Sequence, residues 1–332
     1  MISYAEITAA VILVALIVYA LTGGADFGGG LWHLLAAGPR AKQQRLLIDS
    51  AIAPIWEANH VWLVLIVVLL FVCFPHAFSA ASIALHIPLT ILLIGIVFRG
   101  AGFAFRQYAA TRTMRREWSR AFAAASVVTP VFLGVCLGAI TDDRVVVRDG
   151  ISVYGFVTPW LHAFALAVGA LALALFALTA AVYLANEAGN AAVANDFRIR
   201  AITSGVAVTV AAFSGIALAP DRFRSALLHS LWSWPLQIVT GMVALALFAA
   251  LLARRFAVAR LLVIVQTALI LFGWALAQYP LIIAPDLTID AAAAPARVVR
   301  LTLVELLIGS VVLAPSFFYL FRVFKGRSET AD

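Results

Sequence analysis

PWLHAFALAVGALALALFALTAAVYLA, residues 159–185, decides the class of fold. These 27 residues contain no Asp, Glu, Lys or Arg. Wound as a helix at 1.5 Å per residue they would extend about 40 Å, more than the roughly 30 Å hydrocarbon core of a bilayer. A soluble core helix has no need of such length without a polar stripe.

The same signature recurs to either side. Apolar runs fall at about 6–28, 51–73, 78–103, 121–140, 159–185, 201–219, 233–253, 260–280 and 301–321. The composition agrees: 64% of the 332 residues are hydrophobic and 12% are charged, against about 45–50% and 25% in a soluble domain. Mean hydropathy is +1.04. The expectation is an all-α integral membrane protein of about nine transmembrane helices, one polytopic domain over residues 1–332. General packing of helical bundles suggests two four-helix bundles plus one peripheral helix. The first run is expected to remain as a span rather than serve as a signal peptide, because no basic residue precedes it.

A net charge of +7 could point to nucleic acid, but the basic residues stand between the apolar runs and form no single face. They report topology instead. Sixteen Arg and Lys fall in alternate connections, beginning with Arg40, Lys42 and Arg45, then Arg106 to Arg120, and ending with Arg322 to Arg327; six fall in the others. The richer set belongs in the cytoplasm. The N-terminus is then outside and the C-terminus inside, as an odd span count requires.

Cys73 and Cys136 lie in apolar runs without CxxC or CxxCH spacing, and read as small buried side chains. Neither haem attachment nor an iron–sulfur cluster is supported. No metal-site spacing appears among His33, His60, His76, His86, His162 and His229. A bis-His site from His86 and His162 is the one conceivable ligand pair.

Charges inside the bilayer are costly, so each is a functional candidate. Asp26, Glu57 and Arg99 occupy the first three runs. Counting along each helix places all three at similar depth, roughly 10 Å below the cytoplasmic surface. Glu57 and His60 share a helix face, with Trp56 and Asn59 beside them. Gly24 and Gly28 flank Asp26 at GxxxG spacing, which lets helices approach closely. Burial raises a carboxylate pKa and a nearby arginine lowers it, so such a cluster can exchange protons near neutrality. It can equally be a set of pairs that locks three helices together.

Three stretches resemble one family: Gly24-Ala25-Asp26-Phe27-Gly28-Gly29-Gly30, Ser50 to Leu63 (SAIAPIWEANHVWL), and Phe98-Arg99-Gly100-Ala101-Gly102-Phe103-Ala104-Phe105-Arg106. They are similar to subunit II of cytochrome bd-type ubiquinol oxidases. Ala277-Gln278-Tyr279-Pro280 is similar to the shorter, cyanide-insensitive-type members. The resemblance implies a bacterial inner-membrane location and no catalytic group or metal in this chain. It implies a heterodimer with subunit I, which holds haem b, haem d and the quinol site, while a quinone is possible here. It implies a cytoplasmic proton path through Asp26 and Glu57, with Arg99 a nearby tuning charge. His60, read from its own chemistry on the Glu57 face, is a candidate proton relay. Position 57 departs from the pattern: many members have Asp after that tryptophan. Two other readings stay open, a proton-coupled secondary transporter and a purely structural membrane subunit.

Overall fold

The computed structural model describes residues 2–52 and 56–326; side chains at 52, 56–58, 107, 313, 314, 317, 318 and 320–326 lie outside the described residues. The protein is all-helical apart from two short hairpins. In order the helices are α1 (Tyr4–Leu34), α2 (Ala41–Ile52), α3 (Trp56–Cys73), α4 (Pro75–Ala84), α5 (His86–Tyr108) and α6 (Arg112–Thr141). After hairpin β1–β2 (Val147–Arg148, Ile151–Ser152) come α7 (Ala163–Glu187), α8 (Ala191–Leu218), α9 (Asp221–His229), α10 (Ser233–Leu252) and α11 (Phe256–Gln278). Hairpin β3–β4 (Leu281–Ile283, Leu287–Thr288), α12 (Ile289–Ala292) and α13 (Ala296–Gly326) complete the chain.

Among the described residues seven helices are long and apolar enough to span a membrane: α1, α5, α6, α7, α8, α10 and α11. An eighth arises if α3 and α4 count together, although they meet at 114°. That bend corrects the run expected at 78–103. Phe74 interrupts the helix and Pro75, which has no N–H to donate, opens α4. Residues 78–84 therefore belong to α4, and the spanning segment is α5.

Local chemistry sets the ends. Ser3 caps α1 reciprocally: its hydroxyl accepts from the Glu6 amide at 3.1 Å, and its own amide donates to Glu6 at 2.8 Å. Thr111 caps α6 and Asn190 caps α8 through their side chains. The connection after α11 forms the second hairpin and a one-turn helix. It is tied back to α1 by Tyr279 donating to Glu6 at 2.8 Å and Ser3 donating to Asp290 at 2.9 Å.

α7, the segment quoted first, is central and packs on α1, α6, α8 and α11. Gly28 makes the α1–α7 approach possible: a Cβ there would lie 2.1 Å from the Phe176 carbonyl oxygen. At Gly24 it would lie 3.1 Å from the Phe176 ring. The GxxxG spacing is thus a packing seam, and it presses the Asp26 turn of α1 into the core. α2, which hydropathy alone does not mark, is pinned to α8: Arg40 forks onto Asp196 at 2.6 and 2.7 Å, and Gln44 adds a bond at 2.8 Å.

Candidate functional site: a buried ion pair and its arginine-rich end

Asp26 on α1 and Arg99 on α5 form a buried ion pair. An Arg99 Nη2 donates to Asp26 Oδ1 at 2.5 Å and to the Asp26 carbonyl at 3.1 Å. The side chains are 1% and 2% exposed. The second carboxylate oxygen accepts from Asn59 Nδ2 on α3 at 3.2 Å. Three helices therefore converge on one carboxylate. The guanidinium lies over the Phe27 ring at 4.4 Å and near Phe122 at 5.1 Å, which supplies cation–π stabilisation in place of water.

His60, next after Asn59, is half-buried and within electrostatic range of Asp26 and Arg99. The side chains of Trp56 and Glu57 lie outside the described residues.

The pair does not exhaust the polar groups around it. Tyr19 Oη, Asn59 Oδ1 and Arg99 Nε are buried with no hydrogen-bond partner among the described residues. Tyr19, fully buried in α1, also feels both charges of the pair. Buried polar groups normally find partners, in protein or ordered water. Sequence reading missed Tyr19, since a tyrosine in an apolar run looks like core.

It also missed a second polar rung. His33 is seven residues after Asp26, and Arg106 seven after Arg99, so each helix repeats its polar residue on nearly the same face. Arg106 donates to Asp49 on α2 at 2.7 Å, and His33 lies 3.8 Å from Asp49 and 3.5 Å from Arg106. The Phe122 ring serves both rungs: Arg106 stands 4.7 Å from its centroid. Beyond this rung a cavity of about 860 Å³ opens at the arginine-rich end of the bundle.

At the opposite end His162 caps α7, accepting from the Ala165 amide at 3.4 Å, and lies 3.6 Å from Asp142. Burial pushes its pKa down, partly offset by Asp142. His86 packs edge-on against Phe156 at 4.8 Å, with Nδ1 3.0 Å from the Ile83 carbonyl. Each ring engages Nδ1 locally, and the His162 Nε2 is buried with no hydrogen-bond partner among the described residues. Among the described residues no group of three or more His, Cys, Asp or Glu is placed to hold a metal ion.

Trp274 donates to Thr141 at 2.9 Å, and buried Gln278 donates to the Ile140 carbonyl at 3.3 Å. Both close the C-terminal end of α11 against α6. Glu305 is exposed.

The chain resembles known proteins in sequence and in fold. It is 32% identical over 125 residues to cytochrome bd-I ubiquinol oxidase subunit 2 of Escherichia coli K12, covering 38% of this chain and 32% of that protein. It is 26% identical over 146 residues to cytochrome bd ubiquinol oxidase subunit 2 of Bacillus subtilis 168, covering 44% and 42%. The matches thus span well under half the length of these curated relatives. The fold matches a chain of the bd oxidase from Geobacillus thermodenitrificans with a TM-score of 0.79 at 21% identity, over 97% of this chain and 98% of that one. The family profile of cytochrome bd terminal oxidase subunit II aligns with residues 4–324. On that match the chain belongs to the cytochrome bd terminal oxidase subunit II family.

Proposed function

We propose that this chain is the haem-free second subunit of a bd-type quinol:oxygen oxidoreductase, one polytopic domain in a bacterial inner membrane. It pairs with a haem-bearing subunit I and supplies a proton-uptake route from the cytoplasm toward that partner. Haem b, haem d and the quinol-oxidising site are assigned to the partner. A quinone bound by this chain would be structural.

Helix packing supports the finer architecture. α1 packs on α3 and α6, and α5 on α6; α7 packs on α8 and α11, and α10 on α8 and α11. α7 joins the two groups through α1 and α6, while α13 lies mostly exposed along α1 and α3. Counted this way the spans are nine, in two four-helix bundles with one peripheral helix. In this reading the N-terminus is periplasmic and the C-terminus cytoplasmic, which the distribution of basic residues supports.

The observation that carries the proton route is the Asp26–Arg99 pair, buried beside three polar atoms that have no partner among the described residues. Inside the bilayer, burial disfavours the charged form of a carboxylate and a neighbouring arginine favours it, so the two effects oppose each other at such a pair. Water hydrogen-bonded to Tyr19, Asn59 and Arg99 would connect the carboxylate to its surroundings. Asp26 and Glu57 are the proton carriers in this reading. Arg99 and His60 tune them, Trp56 and Asn59 position them, and Gly24 and Gly28 bring α7 against the Asp26 turn.

One observation favours the structural alternative. Both Asp26 oxygens already accept hydrogen bonds, as in a helix lock. Turnover of assembled variants separates the two.

Assignment to the oxidase is tested by purifying the tagged chain from its native membrane and recording a reduced-minus-oxidised visible spectrum. Haem b and d bands with a second membrane chain are expected. A haem-free eluate from gently solubilised, respiring cells would overturn the assignment.

A further inference from the structure

Six arginines line the cavity beyond the second rung: Arg45, Arg106, Arg112, Arg115, Arg116 and Arg120. They converge from α2, α5 and α6, and Asp49 is the one carboxylate lining the same space. Asp49 is already committed to Arg106 and His33. Among the described residues, Arg112, Arg115, Arg116 and Arg120 form no ion pair with any carboxylate.

The placement of these four is electrostatically adverse. They occupy the first turns of α6, the positive end of its dipole, and that first turn holds no acidic residue. Helices are stabilised by the opposite arrangement. A topological signal needs positive charge on the cytoplasmic side, but it does not need that charge gathered around one hollow at a helix N-terminus. Arg112, Arg115, Arg116 and Arg120 are exposed, as are Arg254 and Arg255 in another connection of the same set, but the latter two do not line this hollow. Around the cavity the scaffold is fixed: Arg106 is 8% exposed, and Arg45 donates to the Ala36 carbonyl at 2.9 Å. Phe103 and Ala123 give the hollow an apolar wall next to the membrane-spanning helices.

We infer that this cavity binds a phosphate-bearing anion. Guanidinium groups fork onto phosphate oxygens, and an α-helix N-terminus adds unpaired N–H donors aimed at the same charge. The phosphate can come from an anionic phospholipid headgroup, for which basic pockets between membrane helices are suited, or from the soluble phase. The inference goes beyond the proton route and does not depend on it.

The assay uses the complex of this chain with its haem-bearing partner, delipidated in detergent. Inorganic phosphate is titrated by calorimetry in one arm. In the other, retention of phosphatidylglycerol against phosphatidylcholine is read by native mass spectrometry. Saturable phosphate binding assigns a soluble ligand; selective retention of phosphatidylglycerol without phosphate binding assigns a lipid. In either case R115Q/R116Q/R120Q is expected to weaken binding about a hundredfold, near fivefold for each charge. R254Q/R255Q is expected to leave it unchanged. Where the triple variant does not assemble, the single variants Arg115→Gln and Arg120→Gln are each read against the fivefold loss. Absence of saturable binding of either probe, or equal binding by the cavity variants and wild type, would overturn the inference.

Discussion

The Arg99 guanidinium meets the Asp26 carboxylate at 2.5 Å across the α1–α5 boundary, with both side chains almost fully buried. Neither charge can be removed alone without leaving the other stranded, and a stranded buried charge costs about 3–5 kcal/mol. Asp26→Asn and Arg99→Gln are therefore each expected to lower the thermal midpoint of the purified complex. The double variant should recover much of that loss. Equal, additive losses would show that the pair is not coupled in the folded state.

Tyr19 allows the two readings of the site to be separated without touching a charge. Its hydroxyl is buried and unpartnered among the described residues. Tyr19→Phe is expected to change stability by less than about 1 kcal/mol, since no protein hydrogen bond is lost. Quinol-driven oxygen uptake should nevertheless fall severalfold if the hydroxyl holds relay water. Unchanged uptake would remove Tyr19 from the route.

The α1–α7 seam makes a graded prediction. A Cβ at Gly28 would press on backbone, 2.1 Å from the Phe176 carbonyl oxygen, whereas at Gly24 it meets a ring edge at 3.1 Å. Gly28→Ala should destabilise by about 1–3 kcal/mol, and Gly24→Ala by clearly less. Thermal unfolding in detergent measures both, and the reverse order would contradict the packing described.

At the opposite end of the bundle, His162 gives a pH dependence. Burial holds its folded pKa below the ordinary 6.5, with Asp142 opposing and Arg144 reinforcing the shift. The unfolded chain then binds more protons between those two values. His162 therefore contributes stability that is present above about pH 6.5 and is lost as pH falls through the folded value. The complex should lose thermal stability on acidification from pH 7.5 to 5.5. His162→Asn, which retains a capping oxygen for the Ala165 amide, should flatten that dependence. An unaltered profile in the variant would assign the effect elsewhere.

Much of this was legible in the sequence because charge is rare in hydrocarbon. Asp26 and Arg99 stand out for that reason, and Asn59 is found beside the conspicuous Glu57–His60 pair. The glycines at 24 and 28 announce a close contact but not its partner, which is Phe176, far away in the chain. Tyr19 was not legible, since nothing in an apolar run distinguishes an unpartnered phenol from packing. The His33–Arg106–Asp49 rung escaped because Arg106 had been read as topological charge and Asp49 sits on α2, which is too polar to register as a span. Its signal was the shared seven-residue interval from Asp26 to His33 and from Arg99 to Arg106. Phe74 and Pro75 break the helix within a stretch of continuous hydropathy, so the start of the third span was placed too early.

The measurement that bears most directly on the central claim is oxygen uptake by the assembled complex carrying Asp26→Asn, normalised to its haem spectrum. The substitution keeps the size of the side chain but removes its ionisable group and one of the two acceptor oxygens. Intact haem bands with turnover lowered by roughly a hundredfold, the scale typical of a lost proton-transfer group, is the result the proton route requires. Full turnover in a complex with normal haem content would contradict it and leave the Asp26–Arg99 pair as a helix lock.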